Sequence, residues 1–137
     1  MQIDKFLATV YLGDRACKSL TIDGWNERVT LVINEISRVR SATGKWDYYN
    51  DENVKDGSLV FTGVKSASLT PPGPLPSDYI EVESVESIDS HPGLFRVKLS
   101  VGGSLPLIGM IETQTIEIVA EGVHIEDPLW PGIEIKE

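Results

Sequence analysis

From Ser19 onward, the apolar side chains of this chain fall on every second residue. Leu20 and Ile22 alternate with Ser19, Thr21 and Asp23, and Val29, Leu31 and Ile33 alternate with Thr30 and Asn34. Phe95, Val97, Leu99 and Val101, separated by Arg96, Lys98 and Ser100, form the cleanest such run. A period of two sends successive side chains to opposite faces of a strand, so each run describes a sheet with one buried face. No strand–helix–strand rhythm accompanies it, which excludes parallel α/β folds.

Further extended segments are expected at Lys45–Tyr49, Leu59–Val64, Tyr79–Ile88 and Ile108–Ala120, with Val123 and Ile125 continuing the last after a phase shift at Glu121-Gly122. Ile80 and Val82 share a parity that Val85 breaks, and a bulge near Ser84 restores the facing. Turn signals stand at Asp23-Gly24, Ser41-Ala42-Thr43-Gly44, Asp56-Gly57, Ser90-His91-Pro92-Gly93 and Gly102-Gly103. Their spacing of about 8–12 residues is that of an all-β sandwich or barrel.

One segment has a different period. Ile3, Phe6, Leu7 and Val10 stand at i, i+3, i+4 and i+7, with Gly13 placed to cap, and predict an amphipathic helix over 2–12. Pro71-Pro72-Gly73-Pro74-Leu75-Pro76 excludes a central strand or helix and predicts a stiff connector over 71–76, crossing between sheets. Residues 129–137 form a tail expected to pack Trp130. The expected architecture is mainly all-β: one domain over 1–137, an antiparallel β-sandwich or open barrel of about eight to nine strands, with one short N-terminal helix.

The charge is divided unevenly. Residues 1–65 carry nine Lys or Arg against nine Asp or Glu, whereas residues 66–137 carry three against twelve, so the net charge of −9 lies in the second half. Such a half repels phosphate backbones and anionic membrane surfaces, which need clustered Lys and Arg. It allows a basic protein partner such as a toxin, beside the plainer role of a solvated surface that resists aggregation. Glu81, Glu83, Glu117 and Glu121, on two of the expected strands, are the candidate protein-binding residues. An edge strand pairing with its own copy is a second mode of association.

Catalytic chemistry finds little to work with. Nucleophile-elbow, P-loop and dinucleotide-binding patterns are absent. The single cysteine, Cys17, reads as a buried strand residue and cannot form an internal disulfide. His91 falls in a turn, and His124 falls on the polar parity of its strand, so both are expected to face solvent. Residues 51–57 resemble a calcium loop only faintly, because Gly stands seventh and Thr twelfth. Carboxylate pairs such as Glu81 and Glu83 arise by chance in any acidic chain. The reading is therefore non-enzymatic, with no catalytic residue, metal or cofactor. The N-terminus lacks the pattern of a secretory signal and no run of about 18 apolar residues occurs, so a cytoplasmic protein is expected.

Asp23-Gly24-Trp25-Asn26, Val29–Ile33, Ser37–Arg40, Gly44–Tyr49, Asp56–Phe61, Ile116–Ala120 and Ile125–Pro128 together resemble a family of small bacterial proteins of unknown function. That family is similar in turn to all-β immunity proteins encoded beside polymorphic toxins. The resemblance covers roughly residues 3–128 and implies a cytosolic, non-enzymatic inhibitor of a toxin; it implies no site residues. The alternative is a carbohydrate or small-ligand binding sandwich, with Trp25, Trp46 or Trp130 stacking on sugar rings.

Overall fold

The computed structural model describes residues 1–39, 52–105 and 109–137. The described residues form one short helix and ten strands in two antiparallel sheets: α1 (Ile3–Leu7), β1 (Val10–Tyr11), β2 (Cys17–Asp23), β3 (Arg28–Arg38), β4 (Asn53–Thr62), β5 (Ser66–Thr70), β6 (Leu75–Ser87), β7 (Phe95–Leu105), β8 (Met110–Ala120), β9 (Gly122–Glu126) and β10 (Glu134–Ile135). The expected all-β sandwich is the observed one, and it is not a closed barrel. The expected strand at Lys45–Tyr49, the turn at 41–44 and the start of the segment at Ile108 lie outside the described residues.

The six-stranded sheet runs β1-β3-β4-β9-β10, with β2 also paired to β3; the four-stranded sheet runs β5-β8-β7-β6. Register explains the alternation. Leu20, Leu31, Leu59 and Ile125 stand opposite one another across four strands of the first sheet, and Ile22, Val29, Phe61 and Val123 form the next row. In the second sheet Ala67, Ile118, Val97 and Val85 align, as do Leu69, Ile116, Leu99 and Val82. Apart from Ile22, which is exposed, these rows meet in one core. Truncating a large member such as Phe61, fully buried, removes about 3–5 kcal/mol of stability.

Two strand pairs pass from one sheet to the other at a shared corner. β4 pairs with β9 up to Thr62–Gly122, and β5 pairs with β8 from Ser66–Val119. Gly63 and Glu121 make the bends between them, and the Glu121 amide donates to the Thr62 carbonyl at 3.1 Å. Gly63 has φ +58°, and a Cβ there would lie 2.9 Å from the Glu121 Cβ. The expected phase shift at Glu121-Gly122 is thus a change of sheet.

Several boundaries differ from the sequence reading. The helix ends at Leu7, not at residue 12. The Thr9 hydroxyl donates to the Phe6 carbonyl at 2.7 Å, and Val10 and Tyr11 pair instead with the end of β3. Backbone partners offered by a neighbouring strand outweigh the propensity of so short a helix. Its Ile3, Phe6 and Leu7 are buried all the same. Asp56-Gly57 lies inside β4, not in a turn.

Gly102-Gly103 also continues a strand, β7, where a turn was expected. The two glycines are needed on opposite faces. A Cβ on Gly102 would stand 2.8 Å from both Asp78 and the Tyr79 ring, and one on Gly103 would stand 2.6 Å from Pro74. Pro74 belongs to the proline-rich connector, which joins β5 to β6, the two edges of the same sheet, and does not cross between sheets. The connector lies across the inner side of that sheet, where the buried Gln114 carboxamide donates to the carbonyls of Pro71 at 2.9 Å and Pro74 at 3.1 Å. Leu75 and Pro76 already belong to β6, since proline is tolerated on an edge strand.

Gly63→Ala is expected to destabilise the protein by about 2 kcal/mol, through left-handed backbone strain and the contact with Glu121. Gly24→Ala, with nothing within 4 Å of the added methyl, is the control and should stay within about 0.5 kcal/mol in urea unfolding.

Candidate functional site

The outer face of the four-stranded sheet is set by the same registers. Glu81 stands opposite Ser100, Ser84 opposite Lys98, and Glu86 opposite Arg96; Lys98 in turn faces Glu117. The register slips between Val82 and Ser84, where the bulge was expected, and leaves Glu83 as the extra residue. Glu81, Glu83 and Glu86 are exposed. β6 carries no basic residue and forms one edge of its sheet.

The four candidate carboxylates do not act alike. Glu81 and Glu83 stand on the acidic edge. Glu117, half-buried, receives the Arg96 guanidinium at 3.1 Å. Glu121 sits at the corner between sheets, 3.5 Å from the Lys65 ammonium, which also reaches Glu27 at 3.4 Å. Lys65 is held above its usual pKa, first by its hydrogen bond to Glu27 and then by the charge of Glu121. Three exposed carboxylates therefore share β6, with Glu86 joining Glu81 and Glu83. Glu86 was missed because its relation to the other two depends on the bulge and on pairing with Arg96.

Cys17 is buried as expected. Burial raises its thiol to about 11, with a lesser opposing effect from a hydrogen bond with the Ser19 backbone. His91 lies in an exposed turn, 3.0 Å from the Ser90 hydroxyl. His124 does not face solvent: it is 2 % exposed. It sits on the outer face of the six-stranded sheet, opposite Val60, with the C-terminal β10 paired alongside β9.

Beside His124, a second constellation forms. Glu126 lies two residues along β9, and Glu134 on β10 is the register partner of Glu126. His124, Glu126 and Glu134 each place one ligand atom within 4.8 Å of the others. The His124 Nε2 lies 3.4 Å from a Glu126 oxygen. Glu134 also meets Lys136 at 3.1 Å and Arg28 at 3.8 Å. Its carboxyl is held below the usual range, chiefly by the Lys136 hydrogen bond and then by the charge of His124. A His-x-Glu pair on a strand was visible in the sequence, but its third member required the β9–β10 pairing.

Of the indoles expected to be available, Trp25 is 94 % and Trp130 64 % exposed; Trp46 lies outside the described residues. Trp130 is thus not packed, against the expectation for the tail. A cleft of about 600 Å³ opens between β2 and the proline-rich connector, lined by Leu20, Ile22, Leu69, Pro72 and Gln114 among others. The Gln114 Oε1 is buried without a hydrogen-bond partner.

The model of a family of unknown function, DUF6258, matches residues 1–137. The chain belongs to that family. Comparison with curated proteins and with solved structures gave no match. No described helix is long and apolar enough to cross a membrane.

The Cys17 thiol should resist alkylation and disulfide exchange at pH 8 in the native protein, and react to one equivalent in denaturant, as followed with a chromogenic disulfide. Because its folded pKa is raised from 9.0 to about 11, the stability it contributes is present below 9 and lost as pH rises towards 11.

Proposed function

We propose that this is a non-enzymatic binding protein whose acidic edge strand docks on a basic surface of a partner protein. The concrete form is an immunity-type inhibitor that covers the basic active-site surface of a toxin. The observation that carries the reading is the exposure of Glu81, Glu83 and Glu86 on β6, a strand without basic residues. Such a stripe speeds encounter with a positive surface and rejects negative ones. Glu117 and Glu121 take a smaller part, because Arg96 and Lys65 already oppose their charge. The high thiol pKa of Cys17 and the turn position of His91 leave no activated nucleophile there, which supports a role in binding.

The test is affinity capture with the tagged protein from the lysate of its own cells, at low salt and at about 0.5 M, where exposed charges are screened. A basic protein should be retained at low salt and released at high salt. With that protein purified, the Glu81→Gln/Glu83→Gln/Glu86→Gln variant should associate about tenfold more slowly, and Glu117→Gln should change the rate far less. Equal binding by the triple variant overturns the docking surface.

A second reading, a carbohydrate or small-ligand binding sandwich, is favoured by the cleft beside Gln114. Its walls are largely apolar, and Gln114 Oε1 offers one unmet acceptor for a ligand hydroxyl or amide. The exposed Trp25 and Trp130 report on sugars directly. Indole fluorescence that stays constant through millimolar titrations of mono- and oligosaccharides removes the carbohydrate form of this reading.

A further inference from the structure

We propose that His124, Glu126 and Glu134 form a binding site for a divalent first-row transition metal, Zn²⁺ foremost, which would clip the C-terminal strand β10 onto β9. The site lies on the six-stranded sheet, apart from the acidic edge of β6, and is independent of the function proposed above.

Strand geometry assembles it. Residues two apart on β9 share a face, so the His124 imidazole and the Glu126 carboxylate project side by side. Glu134 stands directly across from Glu126 on the neighbouring strand, where Cβ atoms lie about 5 Å apart. A metal bound at about 2.0–2.2 Å by nitrogen and oxygen in tetrahedral geometry holds its ligand atoms about 3.3 Å apart. The His124 Nε2 and Glu126 oxygen stand at 3.4 Å already. The rest of the 4.8 Å spread closes by rotation of Glu134, which is exposed.

The second observation is the imidazole itself. His124 is 2 % exposed, and its Nε2 makes no hydrogen bond although a Glu126 oxygen lies 3.4 Å away and Glu134 completes the cluster. A buried ring nitrogen without a hydrogen bond is costly in an ordinary polar cluster. A metal satisfies it as a Lewis acid. One imidazole with two carboxylates suits Zn²⁺ or its neighbours better than Mg²⁺, which demands octahedral oxygen ligands and keeps its waters. Three protein ligands leave a fourth position for water.

Lys136 competes for the same place. Its side chain is 66 % exposed and its ammonium holds one Glu134 oxygen at 3.1 Å, while Arg28 stands 3.8 Å from the other. The metal must displace the lysine, which is free to swing into solvent. The two substitutions therefore push affinity in opposite directions. Glu134→Gln removes a ligand and should weaken binding at least tenfold. Lys136→Gln removes the competing cation and should tighten it several-fold. A purely structural role for this cluster predicts neither.

The experiment is calorimetric titration of Zn²⁺, and of Mg²⁺ as control, into the metal-stripped full-length protein, with ¹⁵N-imidazole NMR to see which histidine responds. The expected result is one Zn²⁺ per chain, a perturbed His124 ring with His91 unchanged, and a Tm raised by about 5–10 °C at a hundredfold excess over Kd. Acidification should release the metal, since only neutral imidazole ligates. Because Glu134 and Lys136 lie at the surface, their variants keep the fold if His124→Gln does not. No stoichiometric binding, a response at His91 in place of His124, or unchanged affinity in Glu134→Gln overturns the site.

Discussion

The corner at Gly63 and Glu121 is the constraint on which the rest of this sandwich depends. Two antiparallel strand pairs, β4 with β9 and β5 with β8, are one ribbon bent at that point, so each strand serves first one sheet and then the other. A bent ribbon joins two layers without a separate connection, in the way that orthogonal sandwiches turn their corners. The backbone pays for the bend with a left-handed residue, and only glycine takes that conformation without strain while leaving room for Glu121. The strand order follows: β3 and β9 flank β4 in one sheet, and β8 carries β5 and β7 in the other.

The opposite problem arises between β5 and β6, which occupy the two edges of one sheet and have only a few residues to connect them. The connector solves it by lying across the inner side of the sheet. Gln114 binds two of its carbonyls, and Gly103 leaves space for Pro74. A buried carboxamide here does what a backbone ladder does elsewhere, supplying donors to carbonyls that have left the sheet. The same residue lines the cleft between β2 and the connector, and its Oε1 stays buried without a hydrogen-bond partner.

Charge is distributed by this architecture in a way that composition alone does not reveal. Lys65 is drawn to the corner by Glu27 and Glu121, and Arg96 pairs with Glu117. These contacts absorb half of the candidate acidic set. The edge strand β6 keeps exposed carboxylates and no basic residue of its own, and its bulge and carboxylates also hinder pairing with another sheet. An edge built to refuse strand addition can still meet a partner through its side chains, which is the form of recognition proposed for it.

The sequence by itself determined the all-β class, the inward rows of residues, the bulge on β6, the β2–β3 hairpin and the burial of Cys17. Each is a local consequence of side-chain period or turn chemistry, carried within a dozen residues. It misplaced the end of the helix, the Asp56-Gly57 and Gly102-Gly103 segments and the exposure of His124. All four depend on partners distant in the chain: β3 for Val10 and Tyr11, β3 for Asp56-Gly57, the connector and Tyr79 for the glycines, and the C-terminal strand for His124. Which carboxylates stay exposed and which meet a cation was decided only by tertiary structure, because ion pairs form across strands. Period tells which face a side chain takes; only strand order tells what faces it.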